Sequence, residues 1–215
     1  MKKILFALSL FLAPLLAIAQ GGQQYQAGTD YDLITPAQRT SDPSKVEVVE
    51  FFAYSCGHCY NFEPLIAQWK PGLGADVAFQ PSPAVWNAAM EPHAKAFYAA
   101  QALGVLDKMH GALFAAMHVD RKRLSSEDEI RQLFVLNGVS AADFDKAYSS
   151  FGISSQVRQA VARAKGARIT GTPEITVAGK YRVSTRKAGS QANMLKIASF
   201  LIAKERALKA VASTN

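Results

Sequence analysis

The feature of this sequence that most constrains its fold is a strand-like run that ends just before a pair of cysteines. Residues 46–52, Val-Glu-Val-Val-Glu-Phe-Phe, are β-branched and aromatic with few polar breaks, which is typical of a central strand covered on both faces. Cys56 and Cys59 follow in the sequence Cys-Gly-His-Cys, and a helical spacing of apolar residues begins there. The sequence therefore predicts a buried strand that leads into a helix with both cysteines at its start.

The Cys-x-x-Cys pair favours a reversible disulfide, because a spacing of two residues at the start of a helix lets both sulfur atoms meet. A zinc site needs four nitrogen or sulfur ligands, and the sequence has no second cysteine pair and no histidine at finger spacing after Cys59. A purely structural disulfide would add little stability by closing so short a loop. Two inert thiols are the remaining alternative, although the polar Gly57–His58 between them is unlike the surroundings of buried cysteines.

The position of Cys56 at the helix start predicts that it is the nucleophilic sulfur. Free backbone N–H groups and the positive end of the helix dipole favour a thiolate there. Cys59 is then expected to be the more buried partner. His58 is a candidate to donate a hydrogen bond or lend positive charge to the Cys56 thiolate, with a solvated loop histidine as the alternative. The same solvated role is expected for the other histidines, His93, His110 and His118.

Two glutamates near the cysteines are candidates for carrying protons. Glu50 lies inside the predicted covered strand, where a carboxylate is costly unless it is hydrogen-bonded or paired. Glu63 lies on the helix that follows the cysteines. The alternative for Glu50 is a strand-end glutamate with its carboxylate in solvent, and the alternative for Glu63 is an ordinary surface residue.

The first 19 residues have the features of a cleaved signal peptide. Lys2 and Lys3 form a positive start, an apolar stretch runs to Leu16, and residues 17–19, Ala-Ile-Ala, fit a small-residue cleavage site. A retained membrane anchor is the alternative. Export predicts a periplasmic location, where a disulfide can persist. No later segment has the roughly 20 consecutive apolar residues of a membrane span, so we expect a soluble mature protein.

The formal net charge of +7 does not point to a nucleic-acid partner, because the charge is scattered along the sequence. The exception is the run Arg-Lys-Arg at residues 121–123. This run lies between two helical patterns, so we interpret it as a solvated loop rather than a binding patch. We expect neither a metal nor a cofactor.

Beyond the cysteines, the periodicity predicts the order strand, helix, strand, helical block, hairpin, helix. Residues 31–34 are predicted to form an edge strand, and residues 77–79 a short strand that Pro81 and Pro83 close. Pro64 is expected to bend the helix that follows the cysteines, because a proline inside a helix removes one hydrogen bond. These elements indicate a mixed α/β chain.

The helical block covers residues 86–165, and its helices are predicted to be separated by glycines and polar residues at Gly104, residues 120–123, Asn137–Gly138 and Gly152. Ser126 and Ser140 are predicted to cap two of these helices. A hairpin that turns at residues 178–179 and an amphipathic helix over about residues 191–208 complete the chain.

This order resembles the thioredoxin fold with an inserted all-helical domain and, more narrowly, the DsbA family. Two motifs carry the resemblance: Glu-Phe-Phe-Ala-Tyr-Ser-Cys-Gly-His-Cys-Tyr-Asn-Phe-Glu at residues 50–63, and Gly-Thr-Pro at residues 171–173 before the hairpin. The residue patterns predict a signal peptide at 1–19 and an N-terminal extension with an edge strand at 20–45. The resemblance implies the first part of the thioredoxin-like domain at 46–86, the helical insertion at 87–163, and the second part of the thioredoxin-like domain at 164–215.

The resemblance implies a periplasmic dithiol oxidase that donates the Cys56–Cys59 disulfide to reduced, unfolded exported proteins. A DsbB-type membrane quinone reductase would reoxidise it. Thr172 and Pro173 would bind substrate, with Pro173 following a cis peptide bond, and the family also has acidic residues at the positions of Glu50 and Glu63.

Two departures from the family pattern keep other functions open. Gly57 stands where the best-known family member has proline, and Thr172 before the proline is similar to disulfide isomerases, so a reductase or isomerase is the alternative. Isomerases of this kind resemble dimers with a separate N-terminal domain, which residues 20–44 are too short to form, so a monomer is expected. A peptide-binding chaperone without redox chemistry is a further alternative.

Overall fold

The computed structural model of this chain describes residues 24–212. The predicted signal peptide, residues 1–19, lies outside them. Within residues 24–212, the strands are β1 (Asp32–Leu33), β2 (Val46–Phe52), β3 (Val77–Pro83), β4 (Glu174–Val177) and β5 (Tyr181–Ser184). In the same residues, the α-helices are α1 (Gly57–Trp69), α2 (Glu91–Ala102), α3 (Leu106–His118), α4 (Glu127–Leu136), α5 (Ala141–Tyr148), α6 (Phe151–Gly166), α7 (Thr185–Ala188) and α8 (Gln191–Ala212). Short 3₁₀ turns cover Lys70–Gly72 and Ala88–Met90.

The strands form one mixed sheet in the order β1-β5-β4-β2-β3. Strand β2 pairs in parallel with β3 and antiparallel with β4, and all seven of its residues are buried. This confirms the prediction of a covered central strand, because a strand between two neighbours and under helices loses solvent on both faces. The predicted edge strand and the hairpin are also confirmed, as β1 and as β4 with β5.

Strand β3 is longer than the sequence indicated, because it runs through both Pro81 and Pro83 instead of ending before them. It is the last strand of the sheet, and the N–H group of Ala84 just beyond it donates to the Phe52 carbonyl at 2.8 Å. Since N–H groups alternate in direction along a strand, the two proline nitrogens face away from β2, where no ladder bond is lost.

Helices α2 to α6 follow β3 and precede β4, in the region predicted to be helical. Ser126 Oγ accepts a hydrogen bond from Glu129 N–H at 3.2 Å, and Ser140 Oγ accepts one from Asp143 N–H at 3.1 Å, which confirms both serine caps. The predicted break at Gly152 is wrong, because this residue lies inside α6. That helix begins instead at the cap Ser150, whose side chain accepts from Ile153 N–H.

The C-terminal end of β2 connects the sheet to the helical region. Phe52 is fully buried, and its ring centroid lies 5.4 Å from that of Phe97 on α2 and 5.9 Å from that of Phe114 on α3. The opposite half of β2 packs with α1 and α8 in a second apolar core that includes Val48 and Leu201. The cysteines follow β2 and therefore lie where the two cores meet. Among residues 24–212, no helix combines the length and the hydropathy that crossing a membrane requires.

Candidate active site

The two cysteines lie at the first turn of α1 as free thiols. Cys56 is the N-cap residue with an extended backbone (φ −90°, ψ 110°), and its Sγ accepts a hydrogen bond from the Cys59 N–H group at 3.3 Å. Cys56 is half-buried, whereas Cys59 has no exposed surface. The expectation that Cys56 lies at a helix start and that Cys59 is the more buried of the two is confirmed.

The Gly-Thr-Pro motif meets the cysteines in space although it lies far along the sequence. The Thr172 carbonyl oxygen lies 3.4 Å from Cys56 Sγ and accepts a hydrogen bond from it when the thiol is protonated. The Thr172–Pro173 peptide bond is cis, as the resemblance implied. Thr172 and Pro173 also line an open surface pocket together with residues at the end of β5. A molecule that reaches the Cys56 sulfur from this pocket therefore passes the backbone of the Thr172–Pro173 loop.

Burial and local hydrogen bonds shift the pKa values of the two thiols in opposite directions. The pKa of Cys56 falls from about 9 to about 5, chiefly because the side chain of Cys59 donates a hydrogen bond to its sulfur. The backbone N–H groups of Cys59 and His58 contribute less to this shift, and partial burial of Cys56 opposes it. Burial raises the pKa of Cys59 far above its ordinary value, and its hydrogen bond to Cys56 adds to the shift. At neutral pH, Cys56 is the thiolate and Cys59 the thiol.

His58 is exposed on the first turn of α1. Its backbone N–H group favours the Cys56 thiolate, and its carbonyl oxygen accepts a hydrogen bond from Gln191 Nε2 at 2.6 Å. No side-chain hydrogen bond joins the His58 imidazole to another of residues 24–212. The predicted donation from the imidazole to Cys56 therefore stays a prediction.

Glu50 is buried within β2, with 1% of its surface exposed. Its Oε1 atom has no hydrogen-bond partner among residues 24–212. Burial raises the pKa of Glu50 well above its usual value, and the nearby Glu63 and Cys56 raise it further. The alternative of a solvated strand-end glutamate does not describe this side chain.

Glu63 lies with Glu50 on the wall of a cleft of ≈ 340 Å³ between α1, β3 and α3. Its Oε1 lies 3.3 Å from His110 Nε2, and the Nδ1 atom of the same ring lies 2.7 Å from the Tyr54 hydroxyl. The structure therefore brings both glutamates predicted from the sequence together and adds His110 to them. Within the cleft, the Glu63 side chain is 28% exposed to solvent, whereas Glu50 is buried in the wall.

The interpretation of His93, His110 and His118 as solvated loop residues is wrong. All three lie on helices, and each contacts the chain outside its own helix. His118 Nε2 donates to the Tyr54 carbonyl oxygen at 2.7 Å, and its ring stacks on Tyr60 with centroids 5.1 Å apart. His118 therefore binds the segment that enters the cysteine turn.

A signal for these histidines was present in the sequence. His110, Phe114 and His118 recur every four residues, so they occupy one face of α3, and this face packs on Tyr54 and Tyr60, which flank the cysteines. A histidine that shares a face with a buried aromatic residue is a poor candidate for a solvated position. The sequence did not show which element that face would meet.

Among residues 24–212, no three His, Cys, Asp or Glu side chains are grouped so that they could hold a metal ion.

Comparisons with known proteins agree with this geometry. Residues 65–195 match the model of the DSBA-like thioredoxin domain family. The chain is 36% identical over 207 residues to thiol:disulfide interchange protein DsbA of Pseudomonas aeruginosa, covering 96% of this chain and 98% of the relative. It is also 36% identical to the protein of that name from Azotobacter vinelandii, covering 88% and 95%. The crystal structure of Pseudomonas aeruginosa DsbA superimposes with a TM-score of 0.84 at 37% identity, covering 87% of this chain and 98% of that one. The expected thioredoxin-like fold with a helical insertion is confirmed.

Proposed function

This chain belongs to the DsbA family of thiol:disulfide interchange proteins, and on that premise we propose that it donates a Cys56–Cys59 disulfide to reduced polypeptides. The observation that carries this proposal is the unequal pair at the start of α1, an accessible sulfur with a lowered pKa in contact with a buried one with a raised pKa. Such a pair stabilises the reduced protein through the Cys56 thiolate, and a protein that is more stable when reduced gives its disulfide away readily.

The exchange proceeds in two steps that balance in electrons. A client thiolate attacks Cys56 Sγ of the oxidised protein, which forms a mixed disulfide and releases Cys59 as the leaving group. A second client thiolate then attacks the client sulfur of that mixed disulfide and releases Cys56 as a thiolate. The client loses two electrons and gains a disulfide, and the protein is left with both cysteines reduced.

Cys59 needs a proton once it leaves, because burial disfavours its thiolate. Glu50 is the candidate donor, since it is buried within β2, has a raised pKa and interacts electrostatically with Cys56. Glu63 shares the cleft and extends to its solvent side, so it is the candidate for returning that proton from water.

Thr172 and Pro173 are proposed to bind the client next to its reacting cysteine. Thr172 O lies 3.4 Å from Cys56 Sγ, so a client sulfur bonded to Cys56 brings its own backbone against this loop. An extended client segment can pair with such exposed backbone without regard to its side chains, which suits a protein that acts on many sequences. His58, exposed beside Cys56, is proposed to assist the thiolate by its charge.

The proposed setting is the periplasm, entered with the signal peptide predicted at residues 1–19. A DsbB-type quinone reductase in the membrane is the proposed reoxidant, and the clients are newly exported chains. We propose a monomer that uses no cofactor and binds no nucleic acid.

A disulfide isomerase or reductase is the second candidate, since Thr172 precedes the cis proline and Gly57 stands between the cysteines. The two functions differ in the stability of the Cys56–Cys59 bond. A reductase has a disulfide that resists reduction by glutathione, and an isomerase rescues scrambled disulfides without net oxidation, whereas an oxidase must hold its disulfide poorly.

The test is the equilibrium of the Cys56–Cys59 pair with glutathione buffers, followed by the oxidation of a reduced, unfolded protein. We expect the pair to be reduced by glutathione at low concentration and the disulfide form to oxidise the client rapidly. The Cys59→Ala variant should trap a mixed disulfide through Cys56, and the Cys56→Ala variant should not. A disulfide that resists glutathione, or rescue of scrambled disulfides without net oxidation, would identify the second candidate instead.

A further inference from the structure

A second depression lies beside the cysteines, on the side of the helical region. It has a volume of ≈ 660 Å³ and is formed by the turn that precedes Cys56, the residues that precede α2, the end of α3 and the loop that follows α3. Ser55, the neighbour of Cys56, and His118 form the wall nearest to the active site. We call this depression the basic groove, for the residues described next.

The far wall of the basic groove has three cations, Arg121, Lys122 and Arg123, which are all exposed. Within residues 24–212, none of their side chains takes part in an ion pair or a side-chain hydrogen bond. No aspartate or glutamate is among the residues that line the groove. Their positive charge is therefore not paired with a carboxylate of the groove lining, and a concave surface concentrates the field of such charges toward its opening.

The loop that has these cations is fixed rather than loosely solvated. The Lys122 N–H group donates to the Ala116 carbonyl at 2.9 Å. His93, on α2, has its Nε2 at 3.0 Å from the Leu124 carbonyl oxygen, and the Leu124 side chain is 1% exposed. Arg121 and Leu124 both have left-handed backbones, with φ of 57° and 50°, a conformation that non-glycine residues adopt only when the surroundings hold it. Residues 121–123 are exposed and lie in a loop, as the sequence predicted, and these contacts hold that loop in place.

The floor of the groove is formed in part by Met90 and Met117. Methionine side chains are flexible and polarisable, so a surface that contains them adapts to partners of different shape. A cationic wall over a methionine floor suits a polypeptide with carboxylates and some apolar side chains. Among the described residues that line it there is no Phe, Tyr or Trp, the large rings on which the bases of a single-stranded nucleic acid stack.

We propose that the basic groove binds an acidic segment of the client polypeptide while a neighbouring client cysteine reacts at Cys56. This inference rests on the proposed function, because it names the client sequences that the same site prefers. The wall that contains Ser55 adjoins Cys56, so a chain held by its sulfur at Cys56 extends into the groove over a few residues. Carboxylates there meet three cations whose side chains have no ion-pair or hydrogen-bond partner in the described part of the chain.

The experiment compares the oxidation of three synthetic dithiol peptides that differ only in the four residues flanking one cysteine: all Glu, all Gln or all Lys. At low ionic strength, we expect the oxidised protein to react about tenfold faster with the Glu peptide than with the Gln peptide, and more slowly still with the Lys peptide. The preference should shrink at high salt, because salt screens exposed charges.

Two triple variants distinguish an effect of the groove from an effect of the overall positive charge on the peptide preference. The variant Arg121→Gln, Lys122→Gln, Arg123→Gln should lose most of the preference for the Glu peptide and keep its rate with the Gln peptide. The control Lys146→Gln, Arg158→Gln, Lys165→Gln removes the same charge from exposed positions on α5 and α6 that do not line the groove, and it should keep the preference. Circular dichroism and thermal unfolding check that both variants fold.

The binding itself is measured separately from the chemistry by fluorescence anisotropy with a Glu peptide whose cysteines are replaced by serine. Equal rates for the three peptides, or the same loss of preference in both triple variants, would overturn the proposal. Loss of binding to anionic phospholipid vesicles in the groove variant, with its peptide preference intact, would also overturn it and assign the cations to a membrane surface. Failure to oxidise even the Gln peptide would instead count against the proposed function.

Discussion

At the scale of single residues, Cys56 and Cys59 have the same chemistry and opposite environments. Cys56 accepts hydrogen bonds at the open N-terminus of α1, while Cys59 is one turn further on and fully buried. Burial penalises a thiolate and donors stabilise it, so three residues along one helix are enough to move the two pKa values in opposite directions. In the proposed exchange, this contrast makes the Cys56 sulfur the point of attack and the Cys59 sulfur the leaving group.

The first prediction concerns the reactivity of the two thiols. At pH 6, Cys56 with a pKa of about 5 is mostly thiolate, so iodoacetamide should modify it far faster than Cys59. Mass spectrometry of the quenched reaction measures both rates. In the Cys59→Ala variant, which lacks the side-chain donor, the pH midpoint of Cys56 alkylation should move upward, whereas Cys59→Ser should shift it less. Equal rates for both thiols would contradict the assignment.

The second prediction concerns Glu50, whose raised pKa means that folding favours its protonated form. Its contribution to stability is present below the pKa of an unfolded glutamate, about 4.3, and is lost as the pH rises through the folded pKa. Glu50→Gln should therefore raise the free energy of unfolding by about 1–3 kcal/mol at pH 8 and by much less at pH 4.5. Urea titrations at both pH values measure this difference.

The control for Glu50→Gln is Glu91→Gln, at an exposed position in the first turn of α2. Its effect should be small and nearly equal at the two pH values. A Glu50→Gln protein that is less stable than the parent at pH 8 would contradict the prediction, because it would mean that the folded protein stabilises the ionised carboxylate.

At the scale of secondary-structure elements, α3 connects the helical region to the active site. One face of this helix presents His110, Phe114 and His118 to the end of β2 and the start of α1. Its C-terminal end also leads directly into the cationic loop, so one helix positions both the turn before Cys56 and the basic groove. Because α3 contacts both the turn before Cys56 and the basic groove, and close-packed helices resist deformation, it can keep the distance between them constant.

The third prediction tests this connection through His118. Its replacement by alanine removes the donor to the Tyr54 carbonyl and the ring stacked on Tyr60. We expect His118→Ala to lower the free energy of unfolding by about 1–3 kcal/mol, because a part-buried carbonyl is left without its donor. Lys146→Ala, at an exposed position on α5, is the surface control and should change it by less than about 0.5 kcal/mol. Denaturation of the reduced proteins in urea gives both values, and indistinguishable midpoints would remove His118 from this role.

At the scale of the whole molecule, the redox state and the global stability are linked. Reduction creates a Cys56 thiolate that the folded protein stabilises and the unfolded chain does not. Folding therefore stabilises the dithiol form relative to the disulfide form. This free-energy difference is the driving force for the proposed donation of the disulfide.

The fourth prediction is the pH dependence of this linkage. The folded pKa of Cys56 is depressed, so its stabilising contribution is fully present above the pKa of an unfolded thiol, about 8.5, and is lost as the pH falls toward and through about 5. The thermal midpoint of the reduced protein should exceed that of the oxidised protein at pH 8, and the difference should shrink as the pH falls to 4.5. A difference that is constant over this range, or that favours the oxidised form, would contradict the thiolate mechanism.

The sequence by itself determined what depends on neighbours along the chain. The central strand, the caps at Ser126 and Ser140, the hairpin and the cysteine turn follow from periodicity and local hydrogen bonding, which act over a few residues. The sequence analysis missed the extension of β3 through Pro83, because β3 lies at the edge of the sheet, where a proline costs no ladder hydrogen bond. It also missed that α6 continues across Gly152, because the helix already begins at the serine cap Ser150.

Only the tertiary structure decided which distant segments meet. Thr172 lies beside Cys56 across 116 residues, and α3 turns its histidines toward the cysteine turn. A hydrophobic period defines which face of a helix is buried, but not which neighbour covers it, since that choice depends on packing over the whole core. For the same reason, residues 121–123 read as three solvated charges in the sequence and form the wall of a groove in the folded chain.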